Sequence, residues 1–189
     1  MRVIAGKLKG NRIQSVSNQL TRPTGDKVKE SLFQIIGPFF DGGTCLDLFA
    51  GSGALAIEAV SRGVERAVLV DKQAKAISVI HKNIHHLKIK EQVEVFRNDA
   101  FRALKALEKR KLKFDIIFLD PPYHQVSYQK LLEAIIAADI LQDQGLIVCE
   151  HDPNNAIHII SESYQLIKQE EYNATTAITI IQKDVENHD

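Results

Sequence analysis

The sequence predicts an α/β protein: a doubly wound, mostly parallel sheet with a small basic N-terminal extension and a C-terminal antiparallel hairpin. Three observations carry that prediction. From Thr44 onward, apolar runs of strand length alternate with amphipathic stretches of helix length. Several runs are apolar without a break, as in Ile116-Ile117-Phe118-Leu119 and Leu146-Ile147-Val148, which marks strands buried on both faces and hence parallel. The last two runs, 164–169 and 177–182, are separated by a short polar segment only, which suits an antiparallel pair.

Taken in order, residues 2–5 and 11–14 read as two short strands joined through Gly6-Lys7-Leu8-Lys9-Gly10, a basic hairpin. A polar loop leads to Arg22-Pro23-Thr24-Gly25-Asp26, with Asp26 as the expected N-cap of a helix that puts Val28, Leu32, Ile35 and Ile36 on one face. Gly37-Pro38 and Asp41-Gly42-Gly43 break the chain before the first sheet strand. Strand 44–49 is followed by helix 54–62, strand 66–70 by helix 73–87, strand 93–97 by helix 101–110, and strand 114–119 by helix 128–138. Strand 145–150 completes the parallel series.

At 189 residues the chain suits a single domain, with 1–36 as basic hairpin and helix and 44–189 as the sheet. No apolar run approaches the roughly 18 residues of a membrane span, and the first residues do not read as a signal peptide. Cys45 and Cys149 fall inside strands and read as small buried hydrophobes. His81, His85 and His86 read as solvated helix residues, so no metal is expected, and the expected setting is a reducing cytoplasm. A net charge of zero hides an asymmetry: residues 1–36 carry seven bases against two acids, and residues 139–189 carry ten acids against two bases. The bases Arg2, Lys7, Lys9, Arg12 and Arg22 are therefore where phosphate contacts are expected.

The motifs sit at the carboxyl ends of predicted strands, where an open α/β sheet binds its ligands. Leu46-Asp47-Leu48-Phe49-Ala50-Gly51-Ser52-Gly53-Ala54-Leu55-Ala56 reads as strand, tight turn and helix, with glycines that let a ligand approach the main-chain N–H groups. Asp71, twenty residues after Gly51, is placed to accept from the two hydroxyls of a ribose. Asn98 and Asp99 end the third strand; Asp99 suits an adenine amino group, the Ala100 N–H a ring nitrogen. The same loop satisfies a dinucleotide fingerprint, but Asp47 would repel a pyrophosphate and attract an ammonium. Asp120-Pro121-Pro122-Tyr123 follows the fourth strand. Its carboxylate and the Pro121 carbonyl offer two acceptors to the hydrogens of an exocyclic amine, freeing the nitrogen lone pair for a methyl donor. The prolines fix the backbone, Tyr123 offers a face for a base, and Asp120 is positioned to take the proton shed after transfer.

Together these residues resemble the class I S-adenosylmethionine-dependent methyltransferases, in the branch that methylates exocyclic amines of nucleobases. Phe49 stands where many methyltransferases have a first glycine, a departure shared with amino-methylating relatives. Within that branch the chain is similar nearly end to end to the bacterial 16S rRNA guanine-N2 methyltransferase family, RsmD. The likeness runs through Arg2-Val3-Ile4-Ala5-Gly6, Arg22-Pro23-Thr24, Lys27-Val28-Lys29-Glu30-Ser31-Leu32-Phe33, the glycine loop and Asp120-Pro121-Pro122-Tyr123. Tyr172-Asn173-Ala174-Thr175 replaces an expected Tyr-Gly-x-Thr turn, which should survive because Asn tolerates a left-handed backbone.

The resemblance implies a Rossmann-like fold, S-adenosyl-L-methionine as cofactor, and methylation of a guanine N2 in 16S rRNA of the small subunit or its assembly intermediate, by a monomer. Cofactor contacts carry over to Asp47, Phe49, Gly51, Gly53, Asp71, Asn98, Asp99 and Ala100, and catalysis to Asp120, Pro121, Pro122 and Tyr123. Arg22 and Thr24 would join Arg2, Lys7, Lys9 and Arg12 on the substrate, whose target base must be extruded to be reached. The competing readings are amino-methylation of DNA adenine or another RNA, a nicotinamide oxidoreductase, and a non-catalytic RNA-binding assembly factor on the same fold.

Overall fold

The computed structural model describes residues 1–17 and 25–185, and the chain divides into two compact units, Met1–Ala100 and Phe101–Asp189. The first unit holds α1 (Asp26–Ile36), β1 (Thr44–Asp47), α2 (Ala54–Ser61), β2 (Arg66–Asp71), α3 (Ala74–Leu87) and β3 (Val93–Arg97), with a short 3-10 turn at Lys90–Gln92 before β3. β2 runs between β1 and β3 and parallel to both, with Asp47 opposite Leu69 and Asp71 opposite Arg97. Its run Ala67–Val70 is buried throughout, as a central strand requires. All eight residues of α2 are buried, matching a helix that is apolar on nearly every side. α3 instead buries one stripe, Ala76, Ile80, Asn83, Ile84 and Leu87, and exposes His81, His85 and His86.

Four local expectations in this unit differ from the structure. The N-terminal pair of strands reduces to one antiparallel bridge, Arg2 with Arg12, flanked by Val3 N–H to Asn11 O and Ile13 N–H to Met1 O. β1 ends at Asp47, because Leu48-Phe49 form a turn; Ala50 N–H then returns to donate to Val70 O, and Gly53 N–H donates to Ala50 O. Asp26 is the first residue of α1 and not its cap, a position held by Gly25 without a side-chain bond. The buried face of α1 is Lys29, Leu32 and Phe33, with Val28, Ile35 and Ile36 only partly covered.

The second unit holds α4 (Ala100–Lys109) from its second residue onward, β4 (Phe114–Leu119), α5 (Tyr128–Ala138), β5 (Leu141–His151), β6 (Tyr164–Asn173) and β7 (Thr176–Lys183). β4 and β5 are parallel, β7 lies antiparallel to β5, and β6 pairs antiparallel with β7. Ser127 caps α5 by accepting from Lys130 N–H. β5 begins at Leu141, earlier than its apolar run, because Leu141 already pairs with Phe114 across an irregular step in the register. The terminal hairpin is antiparallel as its spacing requires, but Asn173 does not take the left-handed backbone expected of it. Its side-chain oxygen accepts from the N–H and hydroxyl of Thr175, so a polar side chain holds the turn without a positive φ.

Candidate active site

In the first unit the predicted cofactor residues gather at the carboxyl ends of β1, β2 and β3. Gly51 and Gly53 have φ of +56° and +83°, in the left-handed region that favours glycine. A Cβ on Gly53 would stand 3.0 Å from Leu69 Cδ2, whereas one on Gly51 would meet nothing within 4 Å. The loop therefore packs on its Gly53 side and opens on its Gly51 side. Asp71 ties it down: Oδ2 accepts from Gly51 N–H at 2.9 Å and Oδ1 from Gln73 N–H at 2.9 Å. Each oxygen keeps a lone pair for a further donor. Asn98 N–H donates to Asp71 O, Asp99 N–H to Asn98 Oδ1, and Ala100 opens α4.

Asp47 is 2% exposed, and its Oδ1 has no hydrogen-bond partner among the described residues. Burial pushes its pKa up to about 7, against the opposing Phe49 N–H bond, and the Asp71 charge pushes the same way. A buried carboxylate with one oxygen unpartnered is costly, which marks it as a place where a cationic or N–H-bearing ligand group would be favoured.

In the second unit Asp120 and Pro122 are half-buried and Pro121 is buried, directly after β4. Tyr123 is 37% exposed, and its hydroxyl donates to Thr175 O at 2.9 Å, in the β6–β7 turn singled out from the sequence. Burial first, then the charges of Glu150 and Asp120, push the Tyr123 pKa up to about 12, so the phenol stays neutral. Tyr128 is a residue that sequence reasoning missed. Its hydroxyl lies between Leu119 O and Glu150 O, tying the ends of β4 and β5 beside the tetrapeptide. Its only sequence signal was a tyrosine just after the Ser127 cap.

Arg2, Lys7, Lys9 and Arg12 are all exposed, and Lys7 Nζ donates to Gln92 Oε1 at 2.6 Å. Arg22 and Thr24 lie outside the described residues. The arm that carries these bases is docked on α2. Glu58 accepts from the N–H groups of Ile4 and Ala5, Ser61 Oγ accepts from Leu8 N–H, and Lys7 N–H donates to Ser61 O. A Cβ on Gly6, at φ +85°, would lie 1.9 Å from Ser61 O, so the close approach requires glycine. Lys29 does not join the exposed bases: it is 1% exposed, with Nζ 2.7 Å from Arg2 O and 3.5 Å from Glu58 Oε2. Among the described residues no three His, Cys, Asp or Glu side chains come together as a metal site. Among them, too, no helix is long and apolar enough to cross a membrane.

The alternation of strands and helices, the glycine loop and the acid at the end of β2 define a Rossmann-like class I methyltransferase, its mostly parallel strands followed by an antiparallel C-terminal hairpin. Residues 1–181 match the family described as conserved hypothetical protein 95, and the chain belongs to that family, the RsmD-type methyltransferases. It is 51% identical over 152 residues to the "Putative rRNA methyltransferase YlbH" of Bacillus subtilis, covering 80% of this chain and 83% of that one. It is 32% identical over 170 residues to the ribosomal RNA small subunit methyltransferase D of Haemophilus influenzae, covering 89% of this chain and 87% of the relative. Among solved structures, the "Putative methyltransferase yhhF" of Escherichia coli matches with a TM-score of 0.85 at 26% identity, over 98% of this chain and 99% of that one.

Proposed function

We propose that this chain transfers a methyl group from S-adenosyl-L-methionine to the exocyclic N2 amine of a guanine in 16S rRNA, within the small ribosomal subunit or its assembly intermediate. The observation that carries the reading is Asp120-Pro121-Pro122-Tyr123 directly after a buried parallel strand, with the Tyr123 hydroxyl anchored to Thr175. The relatives named for rRNA methylation support the substrate class, and the unpartnered Asp47 oxygen supports a cofactor bearing an ammonium.

When bound, S-adenosyl-L-methionine supplies an electrophilic methyl group. Asp47 would accept from its ammonium, Asp71 from its ribose hydroxyls, and Asp99 with the Ala100 N–H would hold its adenine; Phe49, Gly51, Gly53 and Asn98 would shape the loop around it. The Asp120 carboxylate and the Pro121 carbonyl accept the two hydrogens of the target amine and hold its lone pair ready. Pro122 keeps both acceptors aimed, Tyr123 stacks on the base, and Asp120 takes the proton released after transfer. Arg2, Lys7, Lys9 and Arg12, with Arg22 and Thr24, bind the RNA backbone. The whole chain acts as one catalytic domain, a monomer in the cytoplasm with no metal.

The test is transfer of tritiated methyl from S-adenosyl-L-methionine to small subunits from a strain lacking the endogenous enzyme, followed by nucleoside analysis. Label in N2-methylguanosine is expected, and Asp120→Ala should remove about 10²-fold or more of the rate while S-adenosylhomocysteine still binds. Label in N6-methyladenosine would move the substrate; no label on any nucleic acid would overturn the reading in favour of a non-catalytic assembly factor.

A further inference from the structure

Asn83 is a polar residue on the buried stripe of α3, 2% exposed. Its side-chain amide joins two segments that chain distance separates. Oδ1 accepts from Gln14 N–H at 2.8 Å, and Nδ2 donates to Gln14 O at 3.0 Å and to Ser52 O at 2.9 Å. Gln14 closes the N-terminal arm; Ser52 is the middle residue of the glycine loop. Turning the amide over would set its oxygen against two carbonyls and its NH2 against an N–H, so the partners fix its orientation. A second residue of the same helix supports the run, since Lys75 Nζ donates to Ser17 O at 2.6 Å. Eight helical positions between 75 and 83 span about 12 Å, close to the roughly 10 Å that residues 14–17 cover when extended.

The Ser52 carbonyl is not a neutral place to attach. It belongs to the peptide whose N–H, on Gly53, donates to Ala50 O at 2.7 Å and closes the glycine turn. A planar peptide held at both its oxygen and its N–H has one orientation. Displacing the Gln14 segment therefore means breaking a two-bond clasp or tilting the amide that holds the loop.

We propose that Asn83 is a positioning residue that couples the arm to the glycine loop, so that RNA held by the arm and S-adenosyl-L-methionine held by the loop each strengthen the other's binding. This rests on the methyltransferase reading above. Asn83 touches neither ligand; it acts through Gln14 and Ser52. By linkage the effect must be reciprocal.

The direct test needs no variant. Amide hydrogen exchange of the full-length protein, resolved by residue with NMR, is followed with and without S-adenosylhomocysteine. Binding in the loop should slow exchange at Gln14 N–H by about threefold or more, a change carried through the clasp. Protection confined to the loop, with Gln14 unchanged, overturns the coupling and leaves the methyltransferase reading standing. Failure of S-adenosylhomocysteine to bind overturns both. The second measurement is the affinity for S-adenosylhomocysteine alone and with saturating small subunits. The wild-type ratio should be about fivefold or more. In Asn83→Ala it should fall towards one, with cofactor affinity alone weakened by about three- to tenfold. A variant that melts earlier but keeps the wild-type ratio would show Asn83 to be only structural.

Discussion

Two buried carboxylates flank the glycine loop and meet opposite fates. Glu58, in α2, is fully buried and fully engaged: it accepts from Ile4 N–H and Ala5 N–H, pairs with Arg62 Nε at 2.8 Å and lies 3.5 Å from Lys29 Nζ. Asp47, at the end of β1, is almost as buried and has an oxygen with no partner among the described residues. A charge that the chain itself satisfies builds the fold, here by clasping the arm onto α2. A charge left unsatisfied at the carboxyl end of a strand is the more expensive arrangement, and it persists where a ligand completes it.

The sharpest way to break that contrast is at Glu58. Removing one member of a buried charge network leaves its partners unpaired, at a cost of about 3–5 kcal/mol. Glu58→Ala should show that loss in urea unfolding, with the N-terminal arm becoming protease-sensitive at concentrations where α3 stays intact. A loss below about 1 kcal/mol would mean that Glu58 is not what holds the arm. Lys29→Met removes a weaker interaction in the same network and should cost less.

Asp47→Asn should go the other way on stability. The folded-state pKa of Asp47, about 7, is raised above the ordinary 3.8, so its contribution to stability is complete below pH 4 and is lost as pH rises through 7. Relative to Asp47→Asn, the wild type should lose roughly 2–4 kcal/mol across that window in the absence of ligand. Binding of S-adenosylhomocysteine, whose ammonium Asp47 is proposed to hold, should strengthen over the same range in the wild type and lose that pH dependence in the variant. Parallel stability curves for the two proteins would mean that Asp47 is held by more than the Phe49 N–H.

Gly53→Ala tests the loop that lies between the two acids. It forces a Cβ onto a backbone at φ +83° and to within 3.0 Å of Leu69 Cδ2. The expected cost is about 1–2 kcal/mol, read from thermal melting. Gly51→Ala shares the positive φ but meets no neighbour, so it should cost less stability while obstructing the open side of the loop.

The sequence made the frame legible wherever apolar runs were bounded by residues that end them. Phe114–Leu119, Val93–Arg97 and Tyr128–Ala138 have the expected limits, because Pro121-Pro122, Asn98-Asp99 and Ser127 punctuate them. It was less legible where a side chain's fate depends on a distant partner. Lys29 counted as one of seven bases in a basic arm, yet its ammonium is buried against Glu58 and Arg2 O, and burial pushes its pKa below the usual lysine value despite those partners. Asn83 is a polar residue on an apolar stripe, but its partners Gln14 and Ser52 lie 69 and 31 positions away, beyond the reach of local pattern. Asn173 shows the limit of conformational preference as evidence: its side chain solved the turn by a hydrogen bond, so the backbone did not need the left-handed region. The tetrapeptide was readable as chemistry, but Tyr128, which ties the strand ends beside it, was not.

The smallest effect on stability separates the remaining bases of the arm from Lys29. Lys7, Lys9 and Arg12 are exposed, and Lys7 gives up one exposed bond to Gln92 when replaced, worth a few tenths of a kcal/mol to about 1 kcal/mol. Lys7→Ala, Lys9→Ala and Arg12→Ala together should therefore leave the melting curve nearly unchanged. Their effect should appear only against RNA. Removing one cation from a phosphate lowers the slope of log affinity against log salt by about 0.7–0.9, so the triple variant should bind small subunits more weakly and with a flatter salt dependence. α2 sharpens the expectation further. Lys7 lies against Ser61 at the far end of α2, and the eight residues of the helix carry it about 12 Å from the glycine loop. These bases would then grip RNA away from the loop proposed to hold the methyl donor. The triple variant should raise KM for small subunits and leave kcat unaltered at saturation. A drop in kcat would place these bases on the reacting nucleotide, and an unchanged salt slope would remove them from the RNA interface.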